Sequence, residues 1–289
     1  MNALSLANDA GQEVVGEIAP AERYTACDEL WLITTYFNPN HSRLRLENYR
    51  IFSERMKHSG LKLFTLECAF GNDPFELSPS EFVQQVRARD LLWQGERLLN
   101  LLISRLPSEA EKVAWIDCDV LFCNPDWAVE TSHRLDSYPV VQTFATFGYL
   151  PPHRTTLLES ECLRPGFGYV WAALHRGRHN YTLHGHNGFG WACRREILDR
   201  CSLYDATICG GADHLMAHAM VGEFDAPCVL NVYTSLPPMW MRQLIRWLPG
   251  TFRRRIRRSQ SSPLLTHFRA WADPFYHEVR GRVGYIPGI

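Results

Sequence analysis

Apolar and polar positions fall into two alternating rhythms along the first half of the chain. Residues 30–37, Leu-Trp-Leu-Ile-Thr-Thr-Tyr-Phe, are apolar, β-branched or aromatic and stop at Asn38-Pro39-Asn40, which predicts a strand buried on both faces. Leu44, Tyr49, Phe52 and Met56 follow at helical spacing. A second strand is predicted over 61–70, ending at Gly71-Asn72-Asp73-Pro74, then a short helix near 79–88. A longer helix is predicted over 91–106, where Leu91, Leu98, Leu101, Leu102 and Leu106 form one stripe. The spans 112–122 and 139–145 read as a third and a fourth strand, with a short helix over 126–135 between them.

Strands alternating with helices of this length predict an α/β protein with a mostly parallel sheet covered on both faces. Periodicity is lost over 146–187, a stretch rich in Gly, Pro, His and aromatics, as expected of loops that line a site. It returns over 188–200, a strand leading into a helix, and again over 210–221. The tail, 231–289, holds a Trp- and Pro-rich stretch, an arginine cluster and two aromatic segments.

Composition narrows the class. A chain of 289 residues with 46% apolar positions supports one large domain, expected over 30–289. Residues 1–29 carry six acids and no basic start before an apolar run, so they read as a flexible leader, neither signal peptide nor anchor. The net charge of −1 argues against a general nucleic-acid binder. Nine singly scattered cysteines without a C-x-x-C pair suit a reduced, cytoplasmic chain. No apolar run is long enough to cross a bilayer.

The sharpest chemical signal is Val113-Ala114-Trp115-Ile116-Asp117-Cys118-Asp119-Val120-Leu121-Phe122, two carboxylates interrupting an apolar strand. Unpaired carboxylates are costly to bury, which places them at a carboxyl strand end, where α/β sheets open onto a ligand crevice. Residues i and i+2 share a strand side, so Asp117 and Asp119 are candidates to hold one hard divalent cation, Mn or Mg, on a diphosphate. A haloacid-dehalogenase-like phosphatase uses a similar local pattern. That chemistry also needs a downstream lysine and an adjacent acidic pair, and the three lysines, Lys57, Lys62 and Lys112, all precede Asp117.

Asp117-Cys118-Asp119, preceded by Trp93-Gln94-Gly95-Glu96-Arg97-Leu98-Leu99-Asn100, resembles the GT-A-fold glycosyltransferases. A second block, His186-Asn187-Gly188-Phe189-Gly190-Trp191-Ala192-Cys193-Arg194-Arg195-Glu196, followed by Gly210-Gly211-Ala212-Asp213-His214, is similar to segments of beta-galactosyltransferases and polypeptide N-acetylgalactosaminyltransferases. Ala212 stands where those families usually carry Glu.

The resemblance implies a GT-A fold, Rossmann-like and mostly parallel with helices on both faces, with a nucleotide-binding half (about 30–145) and an acceptor half (about 146–289). It also implies a metal-dependent, inverting hexosyltransferase moving a sugar from a nucleoside-diphosphate sugar, a UDP-sugar in the favoured case, to a glycan or other hydroxyl acceptor. On this basis Asp117 and Asp119 would hold the metal with His267 as a further ligand, and Arg97 and Asn100 would orient the donor. Asp213 would be the catalytic base, and His186, Asn187, Trp191 and His214 would meet the acceptor. A solvated first turn of a helix would equally account for Arg97, and helix capping for Asp213.

In similar bacterial proteins a further strand with a His-x-Trp-His type segment is expected beyond the final residues. The rival expectation is therefore a non-catalytic sugar-nucleotide or glycan binder on a truncated transferase fold. Arg253, Arg254, Arg255, Arg257 and Arg258 form a basic cluster suited to acceptor phosphates or peripheral membrane contact.

Overall fold

A computed structural model describes residues 17–151, 154, 156–158, 163–174, 184–207, 210–223, 226–234 and 283–285. The strands of the main sheet are β1 (Leu30–Tyr36), β2 (Lys62–Phe70), β3 (Val83–Ala88), β4 (Lys112–Ile116), β5 (Val140–Gln142), β6 (Gly190–Arg194) and β7 (Val283–Tyr285). The helices that position the site are α1 (Arg43–His58), α2 (Gly95–Arg105), α3 (Trp127–Ser137), α4 (Arg195–Cys201), α5 (Ala212–Met220) and α6 (Pro227–Thr234).

The seven strands form one sheet in the order β7-β5-β6-β4-β1-β2-β3. Six run in one direction, and β6 runs antiparallel to both of its neighbours, β4 and β5. This is the expected α/β architecture, a Rossmann-like, mostly parallel sheet with helices on both faces. Strand alternation divides the core accordingly. Trp31, Ile33, Val113 and Trp115 face a cluster built with Leu98 and Leu102 of α2 and Leu215 and Met216 of α5. Leu30, Leu32, Ala114 and Ile116 face Tyr49, Phe52 and Met56 of α1 and Trp127 and Leu135 of α3. Central strands of a parallel sheet bury both sides, which is why β1 reads as a continuous apolar run.

Several expectations are corrected. The helix expected near 79–88 is instead the edge strand β3, paired in parallel with β2 from Thr65↔Val83 to Phe70↔Ala88. Val83 and Val86 have helical spacing, but the open backbone of β2 takes up this segment, and the Gln85 side chain donates to Glu67 across the strands (2.9 Å). Its polar side chains are tolerable at an edge. Leu91 and Leu92 lie before α2 and are exposed, 63% and 51%, so the helical stripe begins later than expected.

Residues 17–29 are packed rather than loose. Glu17–Ile18 pairs with Leu157–Leu158, Tyr24 is buried, and its hydroxyl accepts a bond from the Phe122 amide (3.1 Å). The seven described cysteines are all free thiols. Among the described residues no helix is long and apolar enough to cross a membrane. The basic cluster from Arg253 to Arg258 and His267 lie outside the described residues.

Candidate active site

The strand order 3-2-1-4 in the first half places a crevice between β1 and β4, where the connections leave in opposite directions, and ligands of open α/β sheets bind at the carboxyl ends there. β4 ends one residue before the acidic pair. The Ile116 carbonyl accepts from the Thr34 hydroxyl of β1 (2.7 Å), and the Asp117 amide donates to the Phe189 carbonyl (2.7 Å). The Val120 amide then donates to the Asp117 carbonyl (3.3 Å), closing a turn over 117–120. The carboxylates therefore stand on a turn at the sheet rim, not on the strand as expected, and their proximity comes from that turn.

Four acidic residues meet here. Asp117 is exposed at the rim. Desolvation of its carboxyl within the crevice, with the charges of Asp119, Asp213 and Glu96, pushes it up to about 7. Glu96, on the first turn of α2, is only 8% exposed, and burial pushes it up to about 7, with Asp213 and Asp205 adding to the shift. Its Oε2 accepts from the indole N–H of Trp93 (2.8 Å), whose ring is half-exposed at the mouth of the crevice. Asp213, on the first turn of α5, is raised by burial, opposed by the backbone N–H groups of the helix start. Gly211, at φ 84°, is the left-handed residue that turns the chain into α5.

Asp119, on the other arm of the turn, lines a cavity of about 440 Å³. Its remaining wall includes Leu44, Asn48 and Arg55 of α1 together with Phe144, Phe147 and Tyr149. The acidic pair thus stands between an aromatic-lined cavity and an acidic crevice.

The second sequence block is divided by the fold. Gly188 sits between His186 and Asp213: a Cβ there would lie 2.9 Å from His186 Cε1 and 3.0 Å from Asp213 Oδ2. His186 stacks on Phe189 (centroids 4.0 Å, 6° between planes), and its Nδ1 accepts from the Gly188 amide (3.0 Å), which leaves the ring proton on Nε2. Burial lowers its pKa, so the ring is neutral. Asn187 is buried, and its side-chain amide nitrogen has no protein partner among the described residues.

Trp191 and His214 do not face an acceptor. Trp191 is core, 3% exposed, because alternation along β6 turns it inward, and its N–H donates to the Asn187 carbonyl (2.8 Å). His214 is 1% exposed and packs against His184 and His218. Asn100 is committed to structure: its amide bonds both the N–H and the carbonyl of Leu203 (2.8 and 2.9 Å) and reaches Asp205 (3.3 Å). Arg97 is 67% exposed at the rim and pairs with Asp205 at 3.1 Å. Glu96, given no site role from the sequence, is the buried neighbour that joins the site. The only signal for it was its place beside Arg97 after an indole.

No family model and no curated protein matches the chain. Solved structures similar to it include 4-diphosphocytidyl-2C-methyl-D-erythritol synthase from Anaerococcus prevotii (9% identity, TM-score 0.34, covering 92% of this chain and 87% of that one). Another is a candidate nucleotide-diphospho-sugar transferase from Desulfovibrio desulfuricans (11% identity, TM-score 0.36, covering 90% and 80%). What the site can do is set by this chain's own residues.

Proposed function

We propose that the protein is a metal-dependent glycosyltransferase that moves a sugar from a nucleoside-diphosphate sugar, with UDP as the favoured carrier, to a hydroxyl acceptor. The observation that carries this is the meeting of Asp117, Glu96 and Asp213 at the carboxyl end of β4, with Asp119 opening onto the adjoining cavity. The cavity is large enough for a nucleoside, and its aromatic wall suits a base or a sugar ring.

The carboxylates fit Mn or Mg. They are hard oxygen donors, and among the described residues the carboxylates of Asp119, Asp213 and Glu96 add to the negative field at Asp117. Asp117 and Asp119 would hold the ion, which offsets the charge developing on a leaving diphosphate when bound. Asp213 takes the proton from the acceptor hydroxyl as it attacks the anomeric carbon, giving inversion. Burial raises its basicity towards the working range, as a general base requires.

Glu96 lies in the same crevice, and its carboxyl near 7 makes it the alternative base. The exposed Trp93 face beside it suits stacking of an acceptor sugar. The buried Asn187 amide, which has no protein partner among the described residues, suits donation to a sugar hydroxyl.

A thermal-shift panel of UDP-, GDP-, CMP- and dTDP-sugars with and without Mn tests the proposal. The expected result is a metal-dependent rise for one nucleotide, about 2.7 kcal/mol at 100 times its dissociation constant. A flat panel on folded protein contradicts the proposal and, of the non-catalytic alternative, leaves only the glycan binder.

A further inference from the structure

Behind the acceptor side of the crevice lies a second cluster that the transfer chemistry does not use. His184 precedes β6, His214 and His218 stand one turn apart on α5, and Cys228 opens α6. All four are buried, and one ligand atom from each lies within 4.8 Å of the other three. From this geometry we propose that His184, His214, His218 and Cys228 form a closed tetrahedral zinc site that clamps α5 and α6 to the segment before β6.

The geometry is close to that of a loaded site. Zinc bonds of about 2.0–2.1 Å to nitrogen and 2.3 Å to sulfur make a tetrahedron with N–S edges of about 3.6 Å and N–N edges of about 3.4 Å. The Cys228 Sγ to His218 Nε2 separation is 3.4 Å, already one edge of that tetrahedron. The widest pair must close by roughly 1.4 Å, which side-chain rotation supplies.

The outer nitrogens point the same way. His184 Nδ1 lies 2.6 Å from the Gly185 carbonyl, and His218 Nδ1 lies 3.3 Å from the Glu223 carboxylate. Oxygen partners of this kind fix the tautomer of metal-bound histidines and leave the other ring nitrogen to the ion.

Three imidazoles and one thiol suit zinc better than magnesium or calcium, and four buried protein ligands leave no open position, as in a structural site. Binding converts the Cys228 thiol to thiolate and releases one proton to solvent. Because His214 follows Asp213 directly, the ion would hold the acidic residue against Gly188.

The test is metal analysis of the full-length chain, purified without chelator and then reloaded with cobalt(II). The expected result is one zinc per chain and, with cobalt, tetrahedral visible bands plus a near-ultraviolet thiolate charge-transfer band. Cys228→Ser should lose that band, His218→Gln should lose stoichiometric zinc, and Asp119→Ala should keep both signals. Folded wild-type protein without stoichiometric metal or the thiolate band overturns the proposal. So does unchanged zinc content in the Cys228→Ser/His218→Gln double variant. If the variants fail to fold, the wild-type cobalt spectrum decides.

Discussion

Glu96, at the start of α2, gains proton affinity first from burial and then from the charge of Asp213, at the start of α5, although 117 positions separate the two in the chain. The Glu96 carboxyl sits near 7 against an ordinary 4.5. The folded protein therefore holds a proton that the unfolded chain gives up, and stability falls as pH rises through that window. Asp117 and Asp213 shift in the same direction. The buried His184, His186 and His214, with lowered pKa values, act in the opposite sense, so the Glu96 contribution is read as the difference between wild type and Glu96→Gln in urea unfolding in Mn- and Mg-free buffer. Glu96→Gln should stabilise the protein at pH 8 by up to about 3 kcal/mol, and by less at pH 5.5. A gain that is equal at the two pH values, or larger at pH 5.5, would contradict the crevice electrostatics.

Asp213→Asn tests the assignment of the base. Transfer should fall by about 10²–10⁴-fold while donor binding and the melting temperature stay near wild type. If turnover survives and Glu96→Gln instead removes the basic limb of the pH–rate profile, the base is Glu96.

The legible part of the fold was the part where local pattern and burial agree. The continuous apolar run of β1 and the helical Tyr49, Phe52 and Met56 of α1 follow directly from sheet and helix geometry. Val83–Ala88 was not legible, because its pairing partner is β2 and the pattern of an edge strand is weakly constrained by burial. The Asp117 and Asp119 pair was visible because two charges interrupt apolar sequence. Glu96 was not, because nothing local distinguishes a buried carboxylate on the first turn of a helix from a solvated one. Trp191 and His214 were misassigned for a related reason: the glycine-rich motif was visible, but which side chains turn into the core is set by the register of β6 and the packing of α5.

Gly188→Ala places a methyl group within 2.9 Å of His186 Cε1 and 3.0 Å of Asp213 Oδ2. His186 is held by its stack on Phe189, so the strain should fall largely on Asp213. The expected outcome is a drop in kcat larger than the change in thermal stability would explain. Equal kcat in the variant would show that Asp213 is not positioned through this contact.

Asn100→Ala removes three hydrogen bonds to the Leu203–Asp205 segment and should cost about 1–3 kcal/mol, read by denaturant unfolding. Arg97→Ala breaks an exposed pair and should cost less than about 1 kcal/mol. If Arg97 meets the donor at the rim, it will nevertheless weaken nucleotide binding, whereas Asn100→Ala will lower stability at unchanged donor affinity.

On the proposed function the turn after β4 holds a metal–diphosphate complex. Calorimetric titration of the UDP-sugar, with and without Mn, into wild-type and Asp119→Ala protein puts this to the test. Mn-dependent binding is expected in the wild type and none in the variant, with both proteins unfolding at the same temperature. Unchanged Mn-dependent affinity in folded Asp119→Ala protein would contradict it.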